Sequence, residues 1–204
     1  MEKFKGKTVL ITGASSGIGK ACAETLAQQG CNLIIVARRR NRLAELRLTL
    51  EKKHGVEITI IAEDISSMEG CHSLIETVER KSLAVDYLIN NAGVGYEGDF
   101  IHQNWEKVHQ MMRLNMDTLT FLSRHFGEKL PDANRVAFFL SHLLADSFPA
   151  PEWVFMMQQR HMYSSLVKHW PVNLNKKMSV SPFYARVQPE LSFLMFQVRM
   201  LISC

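Results

Sequence analysis

The sequence predicts an α/β fold, a doubly wound parallel sheet with helices on both faces. Three observations predict it. Short apolar runs alternate with helically periodic segments over the first three-quarters of the chain. Each run is near-continuous in apolar residues, as strands buried on both faces are. A glycine-containing turn, Gly13 to Gly19, separates the first run from the first helix. Strands alternating with helices imply βαβ units and a parallel sheet.

The elements follow in order. Residues 8–12 (TVLIT) are short, β-branched and apolar, and predict a buried strand. Residues 18–29 have helical periodicity and stop at Gly30, a suitable C-cap. Residues 32–37 (NLIIVA) predict the second strand, and 41–53 a helix rich in Leu, Arg and Glu that stops near Gly55. Residues 57–62 (EITIIA) predict the third strand. Ser66 or Ser67 caps the next helix, with Glu69 close behind, and that helix runs to about Arg80. Residues 85–89 (VDYLI) predict a fourth strand, followed by a loop holding Gly93, Gly95 and Gly98. A helical stretch covers about 104–129, and residues 134–140 (NRVAFFL) predict a fifth strand.

Composition narrows the function classes. The chain has 204 residues, 47% hydrophobic and 22% charged, enough to bury a real core. Its net charge of +4 is too small to argue for nucleic-acid binding. Cys22, Cys31, Cys71 and Cys204 show neither metal-ligand nor disulfide-framework spacing, so no metal is expected and a reducing, cytoplasmic setting fits. Nothing near Met1 reads as a signal peptide, and no run approaches a membrane span.

The chemistry-bearing residues gather at the predicted strand ends. The first turn reads Thr12-Gly13-Ala14-Ser15-Ser16-Gly17-Ile18-Gly19. Glycines there allow a tight turn and let backbone N–H groups approach a pyrophosphate at the helix N-terminus; a ligand-free strand–helix turn is the plain alternative. The second strand ends in Arg38-Arg39-Arg40, with no acidic residue to take a ribose 2′-hydroxyl. Arginine can instead pair with a 2′-phosphate. The alternative is a solvated basic face, although positive side chains suit a helix start poorly. Asp64-Ile65 closes the third strand, where an adenine would lie, and Asp64 can equally serve as a turn or cap residue. Asn90-Asn91-Ala92-Gly93 closes the fourth strand, where small residues would let the chain pass close to a ribose and nicotinamide. Asn115, a poor helix former set between Leu114 and Met116, predicts a buried polar role.

Together these strings resemble the short-chain dehydrogenase/reductase family over about residues 5–140. The resemblance implies a Rossmann-type domain, NADP as cofactor, a small-molecule alcohol or carbonyl substrate, hydride transfer and a homo-oligomer. It implies that Gly13, Ser15, Ser16, Gly17, Ile18 and Gly19 form the cofactor turn. Arg38 and Arg39 match the NADP-selecting basic residues, and Asp64 with Ile65 the adenine contact. Asn91, Ala92 and Gly93 match the motif at the fourth strand, and Asn115 the active-site asparagine. Ser141 stands at or beside the family's serine, which orients the substrate oxygen.

The chain then departs from the family. A Tyr-x-x-x-Lys pair, the family's acid/base, is expected about 13 residues after the serine, yet residues 154–160 read Val-Phe-Met-Met-Gln-Gln-Arg. Tyr163 and Lys168 are five residues apart, about 140° around a helix, and come too late. The last 77 residues hold no glycine, where average usage gives roughly five. Past Glu152 the acidic residues reduce to Glu190 against six basic ones.

The genetic code supplies a cause. Joining each codon's third base to the next codon's first two turns Met156-Met157 into Asp and Met157-Gln158 into Ala. The neighbouring codons permit Tyr before them and Thr-Lys after them. The shifted frame thus admits Tyr-Asp-Ala-Thr-Lys at the expected place. Further on it admits Leu and a Cys-Pro-Gly run from residues 183–187. The expectation is therefore an incomplete dehydrogenase domain over 1–153 and an out-of-frame tail over 154–204 that adds no strand to the sheet. Two readings compete with an active enzyme. One is a catalytically inactive NADP-binding protein or pseudogene product. The other is a genuine variant with a new C-terminal interaction segment.

Overall fold

The computed structural model describes residues 4–96, 100–130 and 136–138. Five parallel strands form one sheet in the order β3-β2-β1-β4-β5: β1 (Thr8–Thr12), β2 (Asn32–Ala37), β3 (Ile58–Ala62), β4 (Tyr87–Asn90) and β5 (Val136–Phe138). The chain builds outward from β1 through β2 to β3, then crosses back to lay β4 on the other side of β1. Helices α1 (Gly17–Gln28), α2 (Arg40–His54) and α3 (Met68–Arg80) provide the first crossovers. After β4 come a 3₁₀ turn (Phe100–His102) and a long helix in three parts. These are α4 (Trp105–Met112), a π-helical turn (Arg113–Thr118) and α5 (Leu119–Lys129).

The predicted sheet class and helix positions hold, with local differences at two places. The fourth strand begins at Tyr87 rather than 85, because Asp86 is turned to another task. Its carboxylate accepts from the Thr8 N–H at 3.0 Å and pairs with Lys7 at 3.1 Å. The predicted helix over 104–129 is continuous in space but widens into a π turn around Asn115. Ser67, rather than Ser66, caps α3: its hydroxyl accepts from the Gly70 N–H at 3.1 Å. The predicted elements beyond residue 138, with Ser141, Tyr163, Lys168 and the 154–204 tail, lie outside the described residues.

The strand pattern divides the core in two. On one face Val9, Ile11, Leu33 and Ile35 pack with Ala23 and Leu26 of α1 and Leu43, Leu46 and Leu50 of α2. On the other, Leu10, Ile34, Val36 and Leu88 pack with Leu74 and Val78 of α3 and Leu122 and Phe126 of α5. Successive residues of a strand point to opposite faces, so both sets must be apolar, which explains the unbroken hydrophobic runs. Cys22 and Cys31 are buried thiols whose pKa values burial pushes up to about 12 and about 11, inert at neutral pH.

An ion cluster ties α3 to α5. Glu79 pairs with Lys129 and lies 3.6 Å from His125 Nε2. Burial, aided by the Lys129 charge, lowers the His125 pKa below its ordinary 6.5. The unfolded chain therefore takes up that proton more readily than the folded one. The contribution of neutral His125 to stability is complete above about pH 6.5 and is lost as pH falls below it. A thermal melting midpoint that drops as pH falls below about 6.5 is expected, with a flatter profile in His125→Gln. Identical profiles for the two proteins would remove His125 from the account.

Candidate functional site

A doubly wound sheet binds ligands outside the carboxyl ends of its strands, where the chain order reverses. Here the reversal lies between β1 and β4, and the predicted residues converge on it. The two strand ends are sewn together by Thr12 and Asn91. The Thr12 hydroxyl accepts from the Asn91 and Ala92 N–H groups, each at 3.0 Å. The Asn91 amide donates to the Thr12 carbonyl at 3.0 Å and the Gly13 carbonyl at 3.3 Å. Thr12 is a site-building residue that the sequence reading quoted within its turn but did not single out. A hydroxyl at the last position of a strand entering a glycine turn was the available signal.

The glycine turn is tight for a reason visible in space. At Gly19 a Cβ would fall 2.5 Å from both the Gly13 carbonyl oxygen and Asn91 Nδ2. At Gly13, where φ is +70°, it would fall 2.8 Å from Asn91 Nδ2 and 2.9 Å from the Ala92 Cα. Two strand ends and a helix start share this space, and only residues without a side chain fit. Ser16 caps α1 in extended conformation without a hydrogen bond from its own side chain to the helix. The first N–H groups of a helix have no intrahelical partner, and a helix start with no side-chain cap favours an anion.

The arginines divide between two tasks. Arg39 Nη2 donates to the Ser15 hydroxyl at 2.9 Å and the Ser16 hydroxyl at 2.8 Å, which lays its guanidinium over the glycine turn. Arg38 Nη1 lies 3.8 Å from Asp64 Oδ2, an exposed ion pair joining the ends of β2 and β3. Neither α1 nor α2 has an acidic residue in its first turn. The edge formed by Ser15, Ser16, Arg38 and Arg39 is therefore cationic and rich in donors.

Asp64 also accepts from the Ser66 N–H at 3.1 Å, so it serves as a turn former and as a partner of Arg38. Ile65 is buried beneath it. Past β4, Asn115 is 3% exposed, as its apolar neighbours predicted. Its Oδ1 accepts from the Val94 N–H at 3.0 Å and its Nδ2 donates to the Val94 carbonyl at 2.9 Å. The side chain thereby brackets the backbone just beyond Gly93. The Gly93 to Tyr96 segment is fastened to α4 as well, through Tyr96 Oη to Gln110 at 3.0 Å. Ser141 lies outside the described residues. Among the described residues, no three His, Cys, Asp or Glu side chains gather to hold a metal, and no helix is long and apolar enough to cross a membrane.

The chain is similar to known proteins. A family model described as short chain dehydrogenase matches residues 7–136. An NADP-dependent 3-hydroxy acid dehydrogenase of Schizosaccharomyces pombe is 39% identical over 100 residues, 48% of this chain and 39% of that protein. A 7beta-hydroxysteroid dehydrogenase of Clostridium sardiniense is 31% identical over 137 residues, 67% of this chain and 51% of that one. Among solved structures, the L-sorbose reductase of Gluconobacter frateurii, complexed with NADPH and L-sorbose, superposes with a TM-score of 0.70 at 28% identity. That alignment covers 82% of this chain and 65% of the reductase. A short-chain dehydrogenase of Sphingobium yanoikuyae in complex with NADPH gives a TM-score of 0.67 at 30% identity, covering 83% and 65%. The chain spans about half or less of the length of these two sequence relatives. With the family model spanning residues 7–136 and the fold superposing on these structures, the chain belongs to the short-chain dehydrogenase family.

Proposed function

We propose that residues 4–130 carry an NADP(H) site. The intact counterpart of this chain would use it for hydride transfer between the nicotinamide and a small alcohol or carbonyl compound. One observation carries the cofactor reading: the Arg39 guanidinium rests on Ser15 and Ser16, directly over the N-terminus of α1. A 2′-phosphate on the adenosine ribose supplies the charge that this edge lacks, and a bare 2′-hydroxyl does not. The glycine turn would hold the pyrophosphate by its N–H groups, Asp64 and Ile65 would flank the adenine, and Asn91 to Gly93 would pass the nicotinamide ribose. The NADPH complex of the Gluconobacter reductase and the NADP-dependent yeast relative support this choice.

Arg39→Ala should weaken NADPH roughly tenfold to a hundredfold and NADH far less, since one charge-assisted pair is lost. Arg38→Asp should act in the same direction. Fluorescence titration of bound NADPH and NADH measures both, and equal losses for the two cofactors would end the 2′-phosphate assignment.

For the chain as written we propose cofactor binding without turnover. The sequence offers Asn115 and Ser141 but no Tyr-x-x-x-Lys pair to move the proton. Residues 154–204 are proposed to be translated out of frame. The nucleotide sequence around codons 150–160 tests this: an intact reading frame shared with independently cloned copies would overturn it. Homo-oligomer formation and a cytoplasmic location are proposed for the intact counterpart.

A further inference from the structure

The loop after β3 is held from two sides by residues that none of the motifs above includes. From the α3 side comes Gly70, whose backbone packs directly on Asp64. A Cβ at Gly70 would fall 1.9 Å from the Asp64 carbonyl oxygen and 2.8 Å from its carbon. From the long helix comes Thr118. Its hydroxyl donates to the Ile65 carbonyl at 2.5 Å, and the Cys71 thiol reaches Thr118 Oγ1 at 3.7 Å and the same carbonyl at 3.5 Å. Thr118 is 4% exposed and Cys71 fully buried, so no water replaces these bonds if they break.

The π turn explains how one helix serves two loops. Asn115 and Thr118 both lie within it, at Arg113–Thr118. In an α-helix, residues three apart lie about 60° from each other and face one neighbour. A π turn, closed by i→i+5 bonds, rotates each residue less, so the two side chains diverge to roughly twice that angle. Asn115 then meets Val94 after β4 while Thr118 meets Ile65 after β3. On the cofactor reading above, on which this inference rests, the first loop borders the nicotinamide end and the second the adenine end.

We infer that Thr118 and Gly70 are positioning residues for the adenine end of the cofactor site, and that the π turn couples this loop to the Val94 loop. The distance between the two ends of the site is then set by one helical turn. The coupling needs no ligand to exist, because both bonds are made within the chain.

The test uses the full chain and three variants: Thr118→Val, Thr118→Ser and Gly70→Ala. NADPH and 2′,5′-ADP are titrated into each, the second because it occupies only the adenine end. Thr118→Val should weaken both ligands by about fivefold to tenfold, the loss expected for one buried hydrogen bond, while Thr118→Ser stays near the unmutated chain. Gly70→Ala should weaken 2′,5′-ADP at least as much. Amide hydrogen exchange without ligand is the second readout. Thr118→Val should speed exchange at Val94, across the helix from the change, more than at the β1 amides.

Equal losses in Thr118→Val and Thr118→Ser would assign the effect to packing and overturn the positioning role. Unchanged affinities together with unchanged exchange at Val94 would overturn the coupling. An unmutated chain that binds neither ligand would defeat the cofactor reading, and the exchange result alone would then decide the coupling.

Discussion

Purified protein of this sequence, supplied with NADPH and a panel of ketones and aldehydes, is expected to show no turnover above the buffer control. Reduction of a carbonyl needs a proton for the oxygen as hydride reaches the carbon. A positioned general acid supplies a factor of about 10² to 10⁴ in such steps. The described part of the chain holds the glycine turn, Arg39 and Asn115, while residues 154–160 read Val-Phe-Met-Met-Gln-Gln-Arg, with no tyrosine or lysine to serve as that acid. Asn115 cannot substitute for it, since an amide does not titrate and this one brackets the Val94 peptide. Tyr163 is the nearest tyrosine after Ser141. NADPH oxidation that disappears in Tyr163→Phe would show that this residue supplies the proton after all. Restoring Tyr-x-x-x-Lys alone is not expected to rescue turnover. If the tail is out of frame, as proposed above, the frame that would carry the pair carries the rest of the family's C-terminal region as well.

Gly19→Ala is expected to abolish measurable NADPH binding and to lower stability by about 1–3 kcal/mol, the usual range for overpacking a filled site. The added methyl would sit 2.5 Å from the Gly13 carbonyl oxygen and from Asn91 Nδ2. The first is backbone, so the strain cannot be relieved by turning a side chain. The turn must open or α1 must slide away from β1. Either movement pulls the Asn91 amide off the Thr12 and Gly13 carbonyls and parts the ends of β1 and β4. Chemical denaturation and NADPH fluorescence read the two effects separately. A Gly19→Ala protein with unchanged affinity would mean that the turn is roomier than its geometry states.

The sheet class was legible in the sequence because it depends on local pattern. Runs such as Leu33 to Val36 and Ile58 to Ile61 are too short for helices and too apolar for a one-sided sheet. The candidate site residues were legible for a related reason. Glycines, asparagines and charges stand at strand ends, where nothing in a hydrophobic core asks for them.

Tertiary structure decided what depends on contacts between distant segments. Arg38 and Arg39 are neighbours in sequence, and only the placement of β3 and α1 gives Asp64 to one and Ser15 and Ser16 to the other. The π turn at Asn115 leaves no mark in hydrophobic periodicity, because one widened turn barely shifts a helical pattern. Its use is seen only when Val94 and Ile65 are found on either side of it. Thr12, Gly70 and Thr118 are unremarkable letters until the atoms they face are known. By itself the sequence determined that a doubly wound parallel sheet forms, because short apolar runs alternating with helical periodicity are a local pattern. The tertiary structure decided which side chains tie the strand-end loops together, since hydrogen-bond partners 53 and 80 residues away are chosen by packing and not by any local rule.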